Sequence, residues 1–144
     1  MAYQAKRKRL YTEDFELTEE DGSVVHTLHV SLDPDSMARK LSEKHMDLMK
    51  ALQNVKGIDV QAVPGEALET VGAAVKDILE AVFGADDTGM IMDFYDNRYM
   101  EMCTEVMPFV TTVVIPEVRK MAQENKRTIA AGYSRSQRRI FGRK

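Results

Sequence analysis

Two runs of alternating residues meet at Asp21-Gly22, and that junction constrains the fold more than any other feature of the chain. Before it, Tyr11, Glu13, Phe15 and Leu17 share one face of an extended segment. After it, Val24, His26, Leu28, Val30 and Leu32 do the same. A period of two puts alternate side chains on opposite sides of a strand. Asp-Gly between two such runs is a strong hairpin signal, because a two-residue type I′ turn needs positive φ at both central positions. Centring the turn on Asp21-Gly22 sets a register: Tyr11 opposite Leu32, Phe15 opposite Leu28, Leu17 opposite His26. That register collects the large apolar side chains on one face, as a half-buried hairpin requires. A lone hairpin is marginal in water, so this one must pack on helices or pair its edge with another chain.

From Asp33 the period changes to that of helices. Asp33 suits an N-cap and Pro34 the first helical position. Met37, Leu41, Leu48, Leu52 and Val55 then form a stripe, with His45 near its line and Gly57 as a stop. Residues 57–65, with Pro64, read as a loop. A second helix is expected from Glu66 to Phe83, with apolar positions at Leu68, Val71, Ala74, Val75, Ile78, Leu79, Val82 and Phe83. Its stripe is wide, which suits a central helix, and Gly84 ends it. A short third helix is expected over Thr88–Asn97, capped by Asp87 or Thr88. A fourth helical stretch runs over Arg98–Lys126. Pro108 and Pro116 interrupt it, and a break is expected near 107 and a second near 116. The fold class is therefore α+β and mostly α: a hairpin over 10–32 followed by a four- or five-helix, bundle-like domain. Residues 1–9 form a basic arm, 10–126 the single domain, and 127–144 a basic flexible tail.

Charge is distributed in blocks along the 144 residues, whose formal net charge is only -3. Residues 1–9 carry Lys6, Arg7, Lys8 and Arg9 and no acid. Residues 10–35 carry eight acids and neither Lys nor Arg, and residues 36–118 hold 14 acids against 7 bases. Residues 119–144 hold nine bases and one acid, Glu124. The body is acidic and both ends are basic. Such ends can touch nucleic acid, remain solvated, or pair with the acidic body of a neighbouring copy. One cysteine excludes an internal disulfide and a cysteine-based zinc site. No apolar run reaches the roughly 20 residues that span a bilayer. These features favour a cytoplasmic protein with no membrane partner.

No residue pattern points to catalysis, to a metal or to a cofactor. His26 and His29 fall on opposite faces of one strand and His45 on another element, so the three do not converge on a metal. Cys103 sits in an apolar helical setting with no base placed beside it, which suits a structural thiol. Asp86-Asp87-Thr88-Gly89, with Asp93 and Asp96, lacks the ligand spacing of a calcium loop. An enzyme with a shallow carboxylate site has no constellation to support it. What stands out is methionine. Met37, Met46 and Met49 lie on the first helix; Met90, Met92, Met100, Met102, Met107 and Met121 lie on the later ones. Methionine fills core gaps, and it also lines surfaces that adapt to a peptide or helix.

The order of these elements resembles a family. An acidic hairpin, Leu10-Tyr-Thr-Glu-Asp-Phe-Glu-Leu to Val24-Val-His-Thr-Leu-His-Val-Ser-Leu32, leads into Val75-Lys-Asp-Ile-Leu-Glu-Ala-Val-Phe-Gly84. A short acidic loop, a helix ending Asp93-Phe-Tyr-Asp96 and Met107-Pro-Phe-Val-Thr-Thr-Val-Val-Ile115 follow. Over residues 10–125 this is similar to the tail assembly chaperones of tailed bacteriophages and prophages. The resemblance implies a non-enzymatic protein of the bacterial host cytoplasm, not part of the mature virion. It would coat the long helical tape-measure protein until tail tube protein polymerises around it. Partners implied are the tape-measure protein and the tail tube protein, while further copies of the chain are expected from the hairpin's free edges and from the acidic body facing the basic ends. Met90, Phe94, Met100, Phe109 and Val113 are the expected partner-binding residues, and Tyr11, Phe15, Leu28 and Val30 the expected self-association residues. The alternative is a small phage regulatory or nucleic-acid-associated protein using Arg135, Arg138, Arg139, Arg143 and Lys144. The acidic body, which repels phosphate, argues against it.

Overall fold

The computed structural model describes residues 2–7, 9–55 and 65–141, with side chains as far as Gly132. Strands β1 (Tyr11–Thr18) and β2 (Val24–Leu32) form an antiparallel hairpin. Helices α1 (Pro34–Gln53), α2 (Gly65–Phe83), α3 (Ala85–Phe94) and α4 (Tyr99–Glu105) follow. The chain then runs as one helical rod: a first turn α5 (Met107–Phe109), a π-helical segment (Val110–Val114) and α6 (Ile115–Phe141). The architecture is the expected one, a hairpin followed by five helical rods among the described residues.

The hairpin adopts the expected register over most of its length: Tyr11 faces Leu32, Phe15 faces Leu28 and Leu17 faces His26. The turn differs from expectation. Gly22 N–H donates to Glu19 O (2.9 Å) and Glu19 N–H to Ser23 O (2.9 Å), so Glu20-Asp21 are the central pair. Only Gly22 has positive φ, +87°, which is the three-residue loop with a glycine bulge rather than type I′. Moving the turn back by one residue changes the pairing at the tip to Thr18 opposite Val24. Val25 is the extra residue that absorbs the shift. Asp21 accepts from the Ser23 N–H (2.8 Å) and hydroxyl (2.6 Å), which holds its carboxyl below the ordinary value and braces the loop.

Asp33 caps α1 by accepting from the Asp35 N–H (3.3 Å), and Pro34 follows it at the start of the helix, as expected. The helix ends at Gln53. Gly57 and most of the expected loop over 57–65 lie outside the described residues. Gly84, at φ +86°, ends α2 and starts α3. Because of that, α3 begins three residues earlier than expected. Its first bond is Thr88 N–H to Gly84 O (3.0 Å). Neither Asp87 nor Thr88 is a cap: Asp86 and Asp87 lie in the first turn, at the positive end of the helix, and Thr88 is buried. Asp96 and Asn97, both at positive φ (51° and 58°), turn the chain from α3 into α4. Asp and Asn tolerate that region better than other side chains.

The break expected near 107 falls at Val106, between α4 and α5. Pro108 sits in the first turn of the rod, where a missing N–H costs nothing. The second break, near 116, does not occur. Ile115 N–H reaches back five residues to Val110 O, and Thr111 and Thr112 hydroxyls donate to the Met107 and Pro108 carbonyls. The π segment thus absorbs the donor that Pro116 lacks. It also sets phase. Val110, Val114 and Val118 recur every four residues along the rod and all are fully buried, as are Met102 and Val106 ahead of it. Four residues overshoot a 3.6-residue turn by about 40° per step. One wider turn takes that drift back and keeps the stripe on the core.

The core joins Leu17, Leu28 and Val30 of the hairpin to Leu41 and Leu48 of α1, the Val71-Val75-Ile78-Leu79 face of α2 and the rod's stripe. α1 lies against α2 and α6, and β2 lies against α2. Gly72 is where α4 meets α2: a Cβ there would stand 2.5 Å from the Tyr99 ring. The expected flexible tail is helical as far as Phe141. The packed first half of α6 nucleates the helix, and propagation then needs only favourable residues. Arg127, Ala130, Ala131, Arg135, Gln137, Arg138 and Arg139 supply them, against weaker formers such as Ser134 and Ser136 and against Gly132, which costs about 1 kcal/mol.

Candidate partner-binding surfaces

Two of the grooves among the described residues adjoin the hairpin, and different elements build them. The first lies beside the outer edge of β1. Leu10, Tyr11 and Glu13 form one wall; Val113 of the π segment with Glu117 and Met121 of α6 form the other, around about 510 Å³. Its chemistry is mixed. Leu10 and Val113 are exposed apolar groups, Glu13 and Glu117 are carboxylates, and Arg9 adds a base. The Tyr11 hydroxyl is buried with no hydrogen-bond partner among the described residues. Burial, then the nearby Glu13 and Glu117 charges, push its phenol up to about 12.

The second groove, of about 870 Å³, lies between the hairpin tip and the α3–α4 corner. Glu19, Glu20 and Asp21 line it from the tip, Glu101 and Glu105 from α4, and Arg98 is the one base among the described residues of its lining. Arg98 reaches Glu101 (3.1 Å) and lies 3.9 Å from Asp96, so its charge is already engaged. Phe94 and Tyr95 pack edge to face, 4.9 Å apart, at its floor. Burial, with Glu105 and Glu101 nearby, raises the Tyr95 phenol.

The five expected partner-binding residues do not gather into one surface. Val113 (42 % exposed) lines the first groove and half-buried Phe94 the second. Met90 (37 %) and Met100 (41 %) are exposed but line neither. Phe109 is half-buried in an aromatic trio, 4.7 Å from Phe15 and 6.0 Å from Phe83, so it anchors the hairpin to the helices. The expected self-association residues need correction. Tyr11, Leu28 and Val30 are buried in the chain's own core, and Phe15 packs on Phe83 at 5.7 Å. Their alternation marks the inward face of the hairpin, and a marginal hairpin uses that face to hold itself on the helices. What remains for a neighbour is the strand edge.

Met46 (59 %) and Met49 (46 %) on α1, and Val24 and Val25 at the hairpin tip, are also exposed, and the expected set omits them. Both methionines fall off the Leu41–Leu48 line, which was a usable signal. His29 pairs with Asp14 at 2.6 Å on the solvent side of the sheet, and His26 is half-buried on the other. Burial raises the Cys103 thiol, which disfavours the thiolate. Among the described residues no three His, Cys, Asp or Glu side chains are grouped to hold a metal ion. None of the described helices is long and apolar enough to cross a membrane. Comparison with models of protein families, with curated proteins and with solved structures finds no match to this chain.

Proposed function

We propose that the chain is a tail assembly chaperone that binds and solubilises the tape-measure protein before the tail tube polymerises, without enzymatic chemistry. The observation that carries this reading is the set of apolar side chains left in water on helices: Met46, Met49, Met90, Met100 and Val113. Flexible thioethers adapt to an irregular apolar seam, and a long helical partner offers such a seam along its length. The acidic body keeps a decorated partner soluble. Many copies, each held weakly, mask the seam by avidity and give way when tail tube subunits compete. The protein acts in the host cytoplasm and leaves before the virion is complete.

Co-expression with the tape-measure protein of the same genome tests this. The reading requires more soluble tape-measure protein and a recoverable complex at low salt. Equal solubility with and without the chain, and no complex, would falsify it. A second reading uses the basic end, where Lys126 and Arg127 stand exposed on the projecting part of α6. A nucleic-acid role predicts a DNA mobility shift that weakens steeply with salt. No shift at low salt removes that reading.

A further inference from the structure

We propose that the outer edge of β1, with the groove beside it, takes the N-terminal arm of a second copy in an antiparallel, two-fold pairing centred on Leu10. This inference stands apart from the chaperone reading. In a two-stranded sheet each strand has one unpaired edge, and no described strand pairs with that of β1. Such an edge is a template for another strand. The groove along it holds Glu13 and Glu117, neither in a described ion pair, with the chain's own Arg9 as the base among its described lining, so its net charge is negative.

The arm supplies what the edge lacks. Residues 2–7 and 9–10 are exposed and belong to no helix or strand. Tyr3 is 96 % exposed, and Lys6, Arg7 and Arg9 make no ion pair with any described residue. Apart from Arg9, which lines the groove, the arm is not placed to serve its own β1. Folding back would need a tight reversal at residues 7–10, which contain no Gly, Asn, Asp or Pro to make one. A second copy meets no such obstacle.

Two-fold antiparallel pairing makes the numbers of opposed residues add to a constant. With Leu10 opposite Leu10 the constant is 20, which sets Arg7 against Glu13, Lys6 against Asp14 and Gln4 against Glu16. Opposed residues share one face of a sheet. Arg7 and Arg9 of the second copy therefore enter on the groove side, beside Glu13 and Tyr11. Their guanidinium N–H groups donate to the Glu13 and Glu117 carboxylates, which accept. Lys6 meets Asp14 on the solvent side. Leu10, 45 % exposed in the single chain, is covered by its twin. The pairing is isologous, so it closes at two copies.

Sedimentation of the full chain at low salt tests the pairing. The expected species has the mass of two chains. Glu13→Arg, at an exposed position, weakens association by about tenfold or more, and Arg7→Glu combined with Glu13→Arg restores it. Leu10→Cys forms a disulfide-linked dimer in air that the unaltered chain does not form. Deleting residues 133–144 leaves the dimer intact. A monomer at 100 µM would overturn the proposal. So would a dimer that survives Glu13→Arg without a Leu10→Cys link, or one lost on deleting residues 133–144.

Discussion

The hairpin and the closing rod carry the same load in opposite ways. Both bring an apolar line to one core: Leu17, Leu28 and Val30 from the strands, and Val110, Val114 and Val118 from the rod. The hairpin does so by a strict period of two, which leaves its register a single solution. The rod does so with a period of four, which no regular helix has, and needs a wider turn to keep it in phase. A regular period announces its own structure. An irregular one is resolved only by what it packs against.

Substitutions sharpen this contrast. The largest effect is expected on the hairpin's inward face. Leu17→Ala empties a fully buried site where the strands meet the helices and should cost about 2–5 kcal/mol in urea unfolding. A smaller loss would mean that the hairpin is not part of the cooperative unit. Gly22→Ala forces a side chain into positive φ and should cost about 1–2 kcal/mol. The cost is one of backbone conformation alone, since nothing lies within 4 Å of the added Cβ. A two-residue type I′ turn would also need positive φ at Asp21. Asp21→Ala should therefore cost only the two Ser23 hydrogen bonds and destabilise the chain less than Gly22→Ala does.

Next in size is an effect of pH. Tyr11 ionises near 10.0 when unfolded and at about 12 in the fold. Both states hold the proton below that range, so neutral-pH stability does not depend on it. As pH rises past the lower value the unfolded chain loses its proton first, and stability falls. At one unit above it, Tyr11→Phe should lead the unaltered chain by about 1 kcal/mol in denaturant unfolding. Equal slopes for the two proteins would show that the phenol is solvated. The smallest effect is expected in the rod. Pro116→Ala should change stability by less than about 1 kcal/mol, because the π segment already routes its hydrogen bonds around the missing donor. A gain of about 3 kcal/mol would mean instead that Pro116 strains the helix.

The same contrast explains what the sequence discloses. Alternation and Asp21-Gly22 were enough for the Tyr11–Leu32 register, and Asp33-Pro34 and Gly84 for helix ends, because each rule is local. The turn type was not legible: type I′ and the glycine-bulged loop share Asp-Gly, and the bulge at Val25 hides the one-residue difference. Pro116 read as a breaker because its neighbours' hydroxyls and the π turn act only in three dimensions. The candidate site was legible only in part. Methionine content drew attention to Met90 and Met100 but did not decide between core and surface for them, and strand alternation did not disclose the burial of Tyr11, Leu28 and Val30. Strand periodicity marks a face without saying whether the chain's own helices or a partner will cover it.

The most direct test is whether the exposed apolar groups hold the partner. A triple variant, Met90→Glu, Met100→Glu and Val113→Glu, alters only side chains more than a third exposed, so its circular dichroism and melting temperature should match those of the unaltered chain. Co-purification with the tape-measure protein of the same genome is then the measurement. The folded triple variant should recover at most about a tenth of the tape-measure protein that the unaltered chain recovers, as a loss of about 1.4 kcal/mol implies. Equal recovery by both would contradict the chaperone reading.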